Sequence, residues 1–135
     1  MSVDDGVTWR IPPTPLPPPS VEALLAVAGR MYAGVMGPPG GRVVWVGGGH
    51  GFVPRASGLP RAADGMVLAA VDGAPPHLLL GTMGVGVYRT TPEGRWARQG
   101  QGPGDGIVTA LLVVPGTHPI VLAGTAAGIY RLHWP

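Results

Sequence analysis

Residues able to do chemistry are sparse in this 135-residue sequence. Its carboxylates are Asp4, Asp5, Glu22, Asp64, Asp72, Glu93 and Asp105, and it has four histidines and no cysteine. A glycosidase needs two carboxyl groups facing one pocket, one as acid and one as nucleophile or base. Asp64, Asp72 and Asp105 each precede a glycine. That pairing is turn chemistry: the Asp side chain bonds its own backbone, and glycine tolerates positive φ. No two carboxylates stand apart as an acid and a base, so no catalytic residue is assigned. His77 and His118 precede two similar apolar runs, in "PPHLLL" and "GTHPIVL". Equivalent positions in different repeats do not gather round one metal, and no metal site is expected. The glycines of "GGRVVWVGGGHGF" lack the following helix that a phosphate loop requires, so no cofactor is expected either.

What recurs instead is aromatic rings beside arginine. Tyr88-Arg89 and Tyr130-Arg131 repeat one pattern, and Trp9-Arg10, Trp45, Trp96 and Arg98 add to it. Guanidinium groups stack on aromatic faces. Such residues make either packing between structural units or repeated ligand surfaces, and the packing reading is the plainer one.

These residues must be carried by short extended elements. Hydrophobic residues make up 45% of the chain and charged residues 12%, against a usual charged share of about 25%. So little charge cannot cover a whole surface, which points to an apolar face buried against another chain. The 24 glycines and 17 prolines sit between strong apolar runs and read as punctuation among short strands. The nine basic residues are all arginine and are scattered, where a nucleic-acid footprint would be a clustered stripe. No apolar run approaches the roughly 18 residues of a membrane span. No basic and apolar leader opens the sequence, which by default suggests a cytoplasmic protein.

Three segments resemble one another. Gly34, Gly81 and Gly124 align, as do Ala23, Ala69 and Ala110, then Trp45, Tyr88 and Tyr130, then Trp9, Phe52 and Trp96. The intervals of 41 to 47 residues match the roughly 40–50 of propeller blades. "LLLGTMGVGVYR" and "VLAGTAAGIYR" are the most alike. Each segment reads as four strands. "VTALLVV" suits an innermost strand buried on both faces, and Pro54 in "GFVPR" suits an edge strand. "VEALLAVA" competes as a helix but is short and has glycine-bounded counterparts. The predicted organisation is an outermost strand at 1–11, a Pro-rich linker at 12–20, and blades at 21–58, 65–100 and 106–135, the last without its outer strand.

At Ser2, Asp4, Gly6, Thr8 and Trp9 the sequence resembles the Asp-box, or BNR repeat, of sialidase, sortilin and photosystem II assembly factor-like β-propellers. "TTPEGRW" and "GGGHGF" are degenerate copies. The resemblance implies that the box closes the hairpin between third and fourth strands of a blade, as a structural element away from any active face. It therefore implies an all-β protein of four-stranded antiparallel blades, three per chain. Three blades cannot close a ring, since propellers use about four to eight. The expectation is a six-bladed propeller made by a head-to-tail homodimer, with residues 6–11 of one copy completing residues 107–133 of the other. The implied role is a non-catalytic scaffold for a protein or small ligand. The alternative is a carbohydrate-binding or sialidase-related propeller.

Overall fold

The computed structural model describes residues 20–36, 43–48, 51–60, 63–100 and 106–134. The expected outer strand at 1–11, nearly all of the linker at 12–20, and the Asp-box with Trp9 and Arg10 lie outside these residues.

The described chain is all-β and antiparallel. Sheet 1 contains β1 (Ser20–Val27), β2 (Arg30–Met36), β3 (Val44–Gly48) and β4 (Gly51–Pro54). Sheet 2 contains β5 (Gly65–Val71), β6 (His77–Thr82), β7 (Val87–Thr90) and β8 (Trp96–Arg98). Sheet 3 contains β9 (Val108–Val114), β10 (Ile120–Thr125) and β11 (Gly128–His133). Within each sheet, strands that are consecutive in sequence are neighbours. Among the described residues no helix is long and apolar enough to cross a membrane.

The helix-prone run at 21–28 is a strand. Its alternate residues Ala23 and Leu25 bury against sheet 2, and pairing with β2 overrides a weak helical propensity. Pro54 ends the edge strand β4, where its missing N–H costs no ladder bond.

The register refines the repeat. Gly34, Gly81 and Gly124 face Ala23, Val67 and Ala110 across the first two strands. The aligned Ala69 is therefore displaced by one pleat, and Val67 holds the equivalent place. Beside each of these pairs the first strand carries one extra residue, Glu22, Met66 or Thr109, in a shift of register. A recurring bulge of this kind fixes strand register and bends the strand. In the third strand the alignment matches the register: Trp45, Tyr88 and Tyr130 face Ala33, Leu80 and Ala123.

The sheets pack in series through their faces. One apolar cluster joins sheets 1 and 2 through Ala23, Val44, Leu68, Leu78, Leu80, Tyr88 and Trp96. A second joins sheets 2 and 3 through Val71, Leu79, Val87, Val108, Val121, Ala123 and Trp134. Leu79 and Leu80 are fully buried on opposite faces of β6, and each contributes about 1.5–3 kcal/mol by burial. Among the described residues only sheet 2 packs on another sheet at both faces; on the outer face of sheet 1 Leu24 is exposed while its partner Ala33 is fully buried. For "VTALLVV" the expectation of burial on both faces fails: Val108 is buried, but Leu112 is 58% exposed and Val114 is 40% exposed. No described sheet lies beyond sheet 3 to cover them.

The Gly-Thr of the repeat has a clear job. Thr82 is fully buried. Its Oγ1 donates to the Gly86 carbonyl at 2.6 Å and accepts from the Val85 N–H at 3.3 Å. Thr125 does the same with Gly128 at 2.9 Å and Ala127 at 3.1 Å. Each hydroxyl closes the turn from second to third strand.

Candidate functional site

The expected aromatic–arginine pairs separate because neighbours on a strand point to opposite faces. Tyr88 turns toward sheet 1 and is buried there with Trp96. Arg89 turns toward sheet 3, its guanidinium 6.0 Å from the Trp134 ring centroid. The His77 ring meets Trp134 at 5.4 Å between centroids and 56° between planes. Trp134 is the aromatic that sequence reasoning missed, since it stands outside the repeated positions. Arg98 lies opposite Tyr88 at the sheet edge. Trp45 lies on the face of sheet 1 turned away from sheet 2, beside Ala33. Tyr130 and Arg131 are exposed, Tyr130 by 43%. The structure therefore brings Tyr88 and Trp96 together, and leaves Trp45, Tyr130 and Arg131 apart.

Trp96 anchors the junction of sheets 1 and 2. Its indole N–H donates to the Arg55 carbonyl at 2.8 Å, and its backbone N–H donates to the Ser57 carbonyl at 2.8 Å. The segment following β4 is thereby tied to β8. Glycine is required at Gly58, which has φ +95° and backbone pressed against Trp96 that leaves no room for a Cβ.

At one end of the same junction lies a cleft of about 550 Å³, within the roughly 300–1,000 Å³ of small-molecule sites. The β1–β2 turn and the start of β2 supply Ala28, Arg30 and Tyr32. The segment after β4 supplies Arg55. The β5–β6 loop supplies Pro75 and Pro76, followed by His77. The β7–β8 turn supplies Thr91, Pro92 and Gly94. Tyr32 and Leu78 join the floor to the apolar cluster below. Arg55 reaches across from sheet 1: a Cβ on Gly94 would lie 2.8 Å from its Nη2.

The β7–β8 turn is formed by the segment "TTPEGRW". The Thr91 N–H donates to the Arg95 carbonyl at 2.7 Å, and the Gly94 N–H returns to the Thr91 carbonyl at 2.9 Å. Gly94 has φ +81°. The Glu93 carboxylate accepts from its own backbone N–H and from the Thr91 hydroxyl, which hold its pKa below the ordinary glutamate value.

The carboxylates among the described residues lie on separate elements. Glu22 sits at the start of β1, Asp64 before β5, Asp72 after β5, and Glu93 in the β7–β8 turn. Among the described residues no three His, Cys, Asp or Glu side chains are grouped to hold a metal.

A second feature is the uncovered face of sheet 3. It presents Leu112, Val114 and Ile129, the last 78% exposed, with Leu122 and Gly124 between them. No family model, curated protein or solved structure matches this chain.

Proposed function

We propose that this chain is a non-catalytic, oligomeric binding scaffold of the β-propeller type, its three sheets serving as blades and a second copy supplying the remainder of the ring. The carrying observation is a position that recurs three times. Gly34 of sheet 1 seats the first residue of β5: a Cβ on Gly65 would lie 3.1 Å from the Gly34 Cα. Gly81 of sheet 2 seats the first residue of β9: a Cβ on Gly81 would lie 2.6 Å from Val108 Cγ1. Among the described residues a Cβ on Gly124 of sheet 3 would meet only Ala110 of its own sheet. The third seat is built, and no described sheet covers it.

The occupant argued for is sheet 1 of a second copy, because its outward face carries the matching residues. By register, Val21 corresponds to Gly65 and Val108, each opposite the residue after the recurring glycine. Leu24 likewise corresponds to Leu68. Leu68 is 7% exposed beneath sheet 1, whereas Leu24 is 70% exposed. Docking these faces repeats a mode of packing the chain already uses twice. Head-to-tail contact of this kind closes after two copies, giving six blades within the usual propeller range.

The test is native mass. A dimer at micromolar concentration, dissociated by Leu112→Glu, is the expected result. A monomer across the micromolar range overturns the reading. Deleting residues 1–10 separately tests the expected addition of residues 6–11 to β11 of the other copy.

A further inference from the structure

We propose that the cleft between sheets 1 and 2 binds a compact ligand bearing an oxyanion group, a carboxylate or a phosphate, with Arg30 and Arg55 as its cationic partners. This deepens the reading of the chain as a binding scaffold by naming a site and a ligand class. The cleft lies within one chain, so its occupancy is independent of ring closure.

The polar groups lining it are donors or neutral. Arg30 and Tyr32 alternate onto the face of sheet 1 that packs on sheet 2, and Arg55 enters from the end of β4. Among the described residues neither arginine forms an ion pair and no carboxylate lines the cleft. The nearest along the chain are Asp72 and Glu93, both exposed. Glu93 is held by its own turn. Thr90 Oγ1 accepts from the Leu78 N–H at 3.0 Å, which leaves its hydrogen free to donate. Two guanidinium groups in a concave site with apolar walls concentrate positive potential. Guanidinium geometry suits bidentate bonding to carboxylate and phosphate oxygens.

The walls describe the rest of the ligand. Pro75, Pro76 and Pro92 line the cleft together with the aromatic ring of Tyr32. Prolines lose little entropy on contact because their rings are already fixed. The arrangement suits a small apolar or planar body behind the oxyanion.

The experiment is calorimetric titration of the full chain with three probes: inorganic phosphate, benzoate and glucose. Binding of phosphate or of benzoate is expected, with glucose at least about tenfold weaker. Phosphate alone identifies a phosphate head group, and benzoate alone a carboxylate on an apolar body. Arg55→Gln and the exposed Arg30→Gln are each expected to weaken the anion by about tenfold, with Arg55→Lys recovering only part. Added salt weakens binding in the wild type. The proposal is overturned if neither anion binds at about 10 mM, if both Gln variants bind as the wild type does, or if glucose binds as well as the anions. A monomer that binds an anion contradicts ring closure and keeps this site; a dimer that binds neither does the reverse.

Discussion

Single residues divide this chain into positions that hold one sheet and positions that receive the next. Gly81 is of the second kind. A methyl group there would lie 2.6 Å from both Val108 Cγ1 and Val67 Cγ1, so Gly81→Ala is expected to cost about 1–3 kcal/mol by overpacking, measured by urea denaturation. Among the described residues a methyl at Gly124 meets only Ala110, its Cβ at 3.3 Å, so Gly124→Ala is expected to leave the fold of the single chain nearly unchanged while weakening association. Equal destabilisation of the single chain by both substitutions would contradict the uncovered third seat. Trp96→Phe removes the indole bond to the Arg55 carbonyl and is expected to cost about 1 kcal/mol, whereas Trp96→Ala empties a core position and costs about 3–5 kcal/mol. Glu93 carries the pH dependence of its turn. Its folded pKa is lowered by its own N–H and by Thr91, so the contribution is present above the ordinary glutamate pKa and is lost as pH falls through the folded value. NMR titration of Glu93 and the Thr91 amide is expected to show one shared transition on the acid side of ordinary glutamate, and Thr91→Val to move it upward.

At the scale of elements, much was legible in the sequence because a period of 41 to 47 residues leaves a repeated imprint. Strand limits follow from glycine and proline punctuation, and the Gly-Thr pair marks a turn whose hydroxyl bonds recur at Thr82 and Thr125. The displaced Ala69 shows what was not legible. A bulge adds a residue without altering the apolar pattern, so register around Met66 depends on backbone pairing that composition does not encode. The aromatic–arginine motif has a related limit. Tyr88 and Arg89 are adjacent in sequence but face different sheets, and only strand alternation separates them. The cleft was invisible because its lining comes from three turns and a strand end that are remote in sequence. For the elements, the expectation is that amides of β5 and β6 exchange most slowly, since among the described residues sheet 2 alone packs on another sheet at both faces. Faster exchange in β6 than in β11, measured by hydrogen exchange, would contradict that arrangement.

For the whole molecule, the account rests on sheets stacked in series with a final uncovered face. Val71 at 2% exposure and its register equivalent Val114 at 40% differ only in whether another sheet follows. The proposed association with a second copy would cover that surface in a chain with only 12% charged residues. Cysteine is absent from the chain, so one pair can be introduced without competing thiols. Within one chain a Cβ on Gly81 would lie 3.1 Å from the Val108 Cβ, near the separation a disulfide requires of about 3.5–4.5 Å. The equivalent positions across two copies are Gly124 and Val21. The most direct test is therefore the mass of Val21→Cys/Gly124→Cys after mild oxidation, read on a non-reducing gel. A covalent dimer that reverts to single chains on reduction is the expected result, and a single chain with both thiols free would contradict the head-to-tail ring.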